Sequence, residues 1–466
     1  MHRVLLLATS FLAVSLGLSA VAEVARPFVI RVTDQETGSA VPLIEFRTTH
    51  EARYVSDNAG LVTVSDPELL EQEIWFEISG HGYEVPPDGF GNRGKRWLLK
   101  PGGGGQLKIK RTNIAERLYR ITGAGRLDHS LKAGIKVSPS DAATRGGVFG
   151  CDSVLNAVYH DQLFWIWGDT SRAPYPLGNF HSTGATSRLP GRGGRDPRSG
   201  IDLEYFMNGE KKFVKEMAHL PGEGPTWLTG LTSLRDEDGR EHLVANYQKV
   251  RNFLETYETG LCEFDDKTEV FKKLVAFPRG QKLIPKGHPF PYEDGDGQAW
   301  ILFGDPLPTM KIPANYEAWK NPARYEALEV DSTFKDPTSG KAVLPHRGSI
   351  AWNDHRQRWI MIFTQTQPGG HTSQLGEGWY CEAPSPFGPW NRCVKIVTHH
   401  RYSFYNPKQH PSFVGGAGKE DRFIYFEGTY TKTFSRATVA TPKYDYNQIL
   451  YRLNLDDPRL QPGRVE

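Results

Sequence analysis

The sequence predicts an all-β protein, a five-bladed β-propeller preceded by a small β-sandwich domain. Three observations predict it. Aromatic and aliphatic strands recur at 163–170, 242–247, 299–305, 359–364 and 422–428, about 55 to 80 residues apart, each directly after a polar turn. After four of the five comes a third strand that opens on an acid: Glu258, Glu326, Glu377 and Asp445. The 466 residues also include 48 glycines and 32 prolines, enough to punctuate many short strands with turns.

The chain opens on an export signature. Met1-His2-Arg3 is basic, 4–18 is apolar, and Ala20-Val21-Ala22 places small residues at the −3 and −1 positions. Residues 1–22 are therefore expected to be a signal peptide cleaved after Ala22, leaving a secreted or periplasmic chain. The apolar run falls short of the roughly 20 residues a membrane span needs, and no later run reaches that length. Residues 23–110 read as the sandwich, with strands at 28–32, 41–46, 54–57 and 75–78 between turns at 33–38, 58–60 and 80–83. The glycine run 101–105 reads as a linker. Residues 111–146 read as a connector, in which 113–119 suits a helical turn or a strand equally.

Residues 147–466 form the predicted propeller. Turns at 159–161, 238–240, 293–297, 353–356 and 418–421 precede the five second strands, and inserts at 171–200, 306–322 and 430–442 are expected to crown one face. A two-sheet sandwich with irregular strands is the competing fold. Lys+Arg 56 against Asp+Glu 54 leaves a net charge of +2, which offers no basic surface for nucleic acid or anionic lipid. The 12% aromatic content suits sugar stacking and a β-rich core equally. Of the four cysteines, Cys381 and Cys393 flank a turn-rich segment that an exported protein could close with a disulfide, with Cys151 and Cys262 free and buried. No CxxC pair, HExxH, GxSxG elbow, phosphate loop or dinucleotide fingerprint is present. No cofactor or metal is expected, though a structural calcium is compatible with the reading.

A propeller's inner strands line a central funnel, so acids placed where strands favour apolar residues are candidates for chemistry. Asp152 opens the inner strand of blade one, and Asp169 ends its neighbour, 17 residues on. One hairpin would bring both to one pocket. Paired carboxylates are what glycosidic cleavage needs, one protonating the leaving oxygen and one acting at the anomeric carbon. The structural alternative is that Asp169 caps a turn and Asp152 binds local amides. Glu427 and Glu377 compete for the acid role, while a repeated acid such as Glu258 or Glu326 more often ties strands together. Asp305, in a Gly-Asp-Pro strand end, echoes Asp169. His288, His346 and His410 begin first strands in blades three, four and five. With Arg347, Tyr405, Asn406, Asp305 and Glu326 these form a candidate substrate-binding set, and Trp227 and Trp352 could stack on a sugar or fill the core.

The blade spacing, the acid on the first inner strand, the W-G-D-T strand end at 167–170 and the stretch A-P-S-P-F-G-P-W at 383–390 resemble the five-bladed glycoside hydrolase superfamily of arabinanases, xylosidases and β-fructosidases. The Asp152/Asp169 pair is similar to that of endo-D-arabinanases. The patterns D-x-x-T-G-x-x-V-P at 34–42, S-D-x-x-G at 56–60 and G-Y-E at 82–84 resemble the transthyretin-like, carboxypeptidase-regulatory-like sandwich that accompanies many exported enzymes. The resemblance implies a monomeric glycoside hydrolase on a polysaccharide or oligosaccharide, with catalytic roles for Asp152, Asp169 and a later glutamate, Glu427 or Glu377. Two alternatives stay open. A polysaccharide lyase would use His288, His410 or Tyr405 as base and Arg347 against a uronate. A non-catalytic propeller would bind glycan or protein.

Overall fold

Alternation decides the first unit. In Phe28–Asp34 the side chains of Phe28, Ile30 and Val32 turn inward while Arg31 faces water. The computed structural model describes residues 26–138, 145–179, 181–210, 212–252, 254–368, 375–414 and 422–464. In it this strand runs parallel to Gly104–Arg111 and antiparallel to Leu61–Val64, with Tyr83–Glu84 at the edge. A second sheet orders Arg53–Val55, Glu45–Thr48, Glu73–Ser79 and Gly94–Leu98. Ile30, Ile44, Phe46, Phe76 and Leu107 fill the space between the two. The glycine run is not a linker: Gly104 and Gly105 pair with Val29 and Ile30. A Cβ on Gly105 would lie 2.4 Å from the Trp97 indole nitrogen of the other sheet, so only glycine lets that ring close over the strand. The export segment 1–22 and the turn 418–421 lie outside the described residues. Among the described residues no helix is long and apolar enough to cross a membrane.

Five blades follow, each a sheet running from an inner to an outer strand, together with a separate three-stranded sheet of Gly150–Cys151, Thr170–Arg172 and Tyr175–Asn179. Blade one is Val154–Tyr159, Gln162–Trp167, Thr183–Arg188 and Glu204–Tyr205. Blade two is Thr226–Arg235, Glu241–Arg251, Glu255–Asp265 and Val270–Ala276. Blade three is Phe290–Glu293, Ala299–Gly304, Pro308–Pro313 and Glu326–Ala327. Blade four is Pro345–Asn353, Arg358–Gln365, Glu377–Ala383 and Trp390–Thr398, with Ser332–Lys335 parallel to the last. Blade five is Ser403–Gln409, Phe423–Thr431, Asn447–Asn454 and, from far upstream, Glu116–Arg120. The second strands are apolar on both sides because each is covered on both faces. In blade one Trp165 and Trp167 enter one core while Phe164 and Ile166 enter another. In blade four Ile360 and Ile362 separate from Met361 and Phe363 in the same way.

Three expectations change. The insert expected at 306–322 contains the third strand of blade three and the helix Tyr316–Lys320, whose Trp319 is fully buried. Glu326 therefore opens an outer strand, not a third one. Cys381 and Cys393 face each other in register across two strands, but all four cysteines are free thiols, so no disulfide closes that hairpin. The segment expected as a connector supplies the strand that closes the ring, with Arg120 opposite Ile449 and Glu116 opposite Arg452.

The closing strand also holds the sandwich. Glu116 accepts from Thr37 Oγ1 at 3.0 Å and from Arg452 Nε at 3.1 Å and Nη2 at 2.6 Å. Arg117, 2% exposed, donates to the carbonyls of His81 and Pro42 and lies over the Tyr83 ring. Asn58 exchanges two hydrogen bonds with the Arg120 backbone. Replacing Glu116 leaves a nearly buried Arg452 without its anion, which costs about 3 kcal/mol. Glu116→Ala is therefore expected to lower the unfolding free energy by that amount in denaturant titration. Glu326→Ala breaks a pair with Lys311 in which the acid is 53% exposed, and is expected to change it by less than about 1 kcal/mol.

Candidate functional site

The inner strands and the loops at their ends enclose a cavity of about 420 Å³ with walls from all five blades. Two of its three acids, Asp152 and Asp169, come from blade one, and the third, Asp305, comes from blade three. Gly150–Cys151 pairs with Thr170–Arg172, so Asp152 and Asp169 sit just beyond paired residues and bond each other's backbone. Asp152 N donates to Asp169 O at 3.1 Å, and Gly168 N to Asp152 O at 2.8 Å. The Asp169 amide donates to Asp152 Oδ1 at 3.1 Å. This packs the carboxylate onto Gly168, where a Cβ would lie 2.2 Å from Asp152 Oδ1. The glycine of the W-G-D-T motif thus makes room for the other acid. Blade five fixes the approach from the opposite side: Thr429 accepts from Ser153 N at 2.9 Å, and Gln448 Nε2 donates to Cys151 O at 3.1 Å.

The environment raises the proton affinity of both acids. Burial, then the charge of Asp169, pushes Asp152 up to about 7 against the pull of hydrogen bonds from Tyr446, Tyr405 and the Asp169 amide. Tyr405 OH donates to Asp152 Oδ2 at 3.1 Å. Burial raises Asp169 too, opposed by the Trp227 indole N–H 3.4 Å from Oδ1. Across the cavity His288 is held neutral, its proton affinity driven down by burial and then by Lys408, Arg347 and His410. His346 is lowered by burial and by Arg347. Arg347 pairs with Asp305, which also accepts from Gly348 N at 2.9 Å and so joins blades three and four. Six wall residues other than glycine have positive φ: Ser153, Ser182, Leu254, Arg347, Asn406 and Phe434. Each costs on the order of 1 kcal/mol, and such strain concentrates where a fold must aim side chains at a ligand.

Nine of the residues proposed from sequence meet at this cavity: Asp152, Asp169, Trp227, His288, Asp305, His346, Arg347, Tyr405 and Asn406. Five do not line it. Glu427 and His410 lie buried in the blade-five sheet, His410 Nε2 2.9 Å from Glu427 Oε1 and His410 Nδ1 2.6 Å from Asn156 Nδ2. Lys408 stands opposite Glu427 in register. Burial raises Glu427 well above the usual carboxylate range against the pull of Lys408, and lowers Lys408 to about 8. Glu377 pairs with Lys395 at 3.0 Å, and Glu326 with Lys311 at 3.3 Å, each across neighbouring strands of its own blade. Trp352 is 41% exposed and lies near the Asn353 end of its strand, away from His346 and Arg347. Sequence reasoning passes over Gln248, Lys286 and Phe434, which do line the cavity. Phe434 lies in the expected crown insert 430–442. Lys286 precedes Gly287, where φ is 83° and a Cβ would meet Gly304 O at 1.9 Å. That glycine is the local signal for a close approach.

No family model and no curated protein matches the sequence. Solved structures do. A candidate exo-β-1,3-galactanase from Bifidobacterium bifidum s17 is 11% identical, covers 72% of this chain and 92% of its own, and has a TM-score of 0.40. A GH43_1 enzyme from Xanthomonas citri is 9% identical over 66% of this chain and 88% of its own, with a TM-score of 0.37. An exo-1,5-α-L-arabinanase from a bovine ruminal metagenomic library is 9% identical over 66% and 93%, again with a TM-score of 0.37. These values carry neither substrate nor mechanism to the present chain, whose fold stands on its own sheet topology.

The raised Asp152 affinity has a consequence for stability. Below the ordinary carboxylate range the group is protonated in both folded and unfolded chains. As pH rises from the ordinary carboxylate range to about 7 the fold holds a proton the unfolded chain has released, so stability falls over that window and above it the fold carries a charge beside Asp169. Asp152→Asn removes that penalty. It is expected to melt above the wild type at pH 8, with the difference gone by about pH 4, in calorimetry across that range.

Proposed function

We propose that the protein is a glycoside hydrolase whose chemistry is carried by Asp152 and Asp169. The supporting observation is a pair of carboxylates on one hairpin, in one cavity, with no basic side chain among the described residues neutralising either and Asp152 raised to about 7. Two coupled acids at neutral pH hold about one proton between them. Asp152 carries it and gives it to the glycosidic oxygen as the anomeric C–O bond breaks and its electron pair stays on that oxygen. Asp169, which accepts from the Trp227 N–H, is the carboxylate that stabilises the positive charge developing at the anomeric carbon. Water then bonds through its oxygen to the anomeric carbon and gives up a proton to the carboxylate pair, which again holds one proton. Trp227 and Phe434 offer apolar surface for a sugar face, and Asn406 and His288 offer polar groups to its hydroxyls.

The substrate is a polysaccharide or oligosaccharide, and the chain reaches it by export. The lyase reading is weaker on the same geometry, because Arg347 is already paired with Asp305 and two acids would repel a uronate carboxylate. Reducing ends are expected from the wild type on a panel of arabinans, xylans, galactans, fucans and uronans. Asp152→Asn and Asp169→Asn should each lose at least about 100-fold while folded. The wild-type kcat/KM should fall above about pH 7, where Asp152 loses its proton. Ultraviolet-absorbing unsaturated products would establish a lyase instead. Retention on one glycan without cleavage would establish a binding propeller.

A further inference from the structure

Two segments outside the catalytic cavity bring together a second set of donor groups. His181 directly precedes the third strand of blade one. Glu216 and His219 lie in the segment that leads from blade one to blade two. The Ala218 amide donates to His181 O at 2.8 Å and the Met217 amide to Ser182 O at 3.0 Å, so main-chain pairing fixes the two segments side by side. The imidazoles of His181 and His219 lie parallel with ring centres 4.2 Å apart. His219 Nδ1 is 2.9 Å from Glu216 Oε2. One ligand atom from each of the three residues lies within 4.8 Å of the other two, and among the described residues no other group of three His, Cys, Asp or Glu does so.

We propose that His181, Glu216 and His219 bind a divalent transition-metal ion of the zinc type. Two imidazoles and one carboxylate are a donor set zinc accepts, with bonds of about 2.0–2.2 Å and a fourth position left for water. Tetrahedral bonds of that length place donors about 3.3 Å apart, so the three must draw in from their present spacing. Side-chain rotation supplies the movement, because His219 and Glu216 are 65% and 45% exposed at the side chain. His181 is the fixed member. It is half-buried, and the Ala218 amide bonded to its carbonyl ties it to the segment that carries Glu216 and His219. Lys249, whose charge is felt at His181, is tied to the Leu220 carbonyl at 3.1 Å and the Gly224 carbonyl at 2.9 Å. A bound ion would cross-link blade one to the segment leading to blade two, one residue from Ser182 in the cavity wall. This site stands apart from the glycosidase reading.

Chelator-treated full-length mature protein titrated with zinc sulfate in a calorimeter is expected to bind one ion per chain. His181→Ala and His219→Ala should each weaken binding at least tenfold, and Glu216→Gln less. Cobalt(II) should give the visible absorption of a low-coordinate site in the wild type and not in His219→Ala. Zinc should raise the melting temperature of the wild type and leave that of His219→Ala unchanged, a comparison that holds even if the variant is less stable. Absence of stoichiometric binding, or binding that both histidine variants retain, overturns the proposal.

Discussion

The ring closes on one strand pairing, Glu116–Arg120 against Asn447–Asn454, and the rest of the molecule is organised around it. An open arc of blades would leave strand edges and apolar blade faces in water. Here a segment upstream of blade one lies beside the last long strand of the chain, so the two ends of the propeller are held in one sheet. The same few residues do three things. Glu116 binds Arg452 in the sheet and Thr37 in the sandwich. Thr122, just past the strand, donates to Asn447 Oδ1 at 3.0 Å. Gln448 reaches from the closing pair to Thr429 and to the Cys151 carbonyl, one residue before Asp152. The position of the cavity acid therefore depends on ring closure.

The cavity is unfavourable by ordinary folding rules. Two half-buried acids stand together, six wall residues carry positive φ, and Asp152 ionises less easily than an ordinary carboxylate. Such arrangements persist only where surrounding structure over-determines them. Covered sheets on both sides of each second strand and the closing pair supply that rigidity. Beneath lie Lys408, Glu427 and His410, a buried polar set whose members offset one another. The electrostatic influence of Lys408 and His410 is felt at His288, so the neutral imidazole in the cavity is set partly by charges the ligand never touches.

Much of this was legible in the sequence, for a physical reason. A second strand is packed on both faces, so it appears as an unbroken apolar run that needs no partner to be recognised. All five such runs lie where the structure has second strands. Elements defined by distant partners were not legible. Nothing local in 113–119 distinguishes a helical turn from a strand, because its partner Arg452 lies 336 residues away. The third strand of blade three was hidden by its neighbours, since Pro306 and Pro308 make 306–322 look like a loop. Gly105 looked like linker composition because Trp97, which requires the glycine, belongs to the other sheet.

The acids divide along a line that sequence alone suggests and geometry explains. Three of the four that recur from blade to blade meet lysines across adjacent strands, Glu258 with Lys273 at 2.7 Å, Glu326 with Lys311 and Glu377 with Lys395, while the fourth, Asp445, accepts from Tyr402 OH at 2.7 Å. A charge neutralised by a neighbour two or three side chains away stays near the surface and serves the sheet. Asp152 has no acidic counterpart at the same place in the other blades, and Asp169 is echoed only by Asp305, which Arg347 neutralises; the partners of Asp152 and Asp169 are hydroxyls, an indole and main-chain amides. Such donors orient a carboxylate without cancelling its charge, which leaves the proton free to move. Repetition in a propeller thus marks acids that build blades, and departure from the repeat marks acids that are available for chemistry.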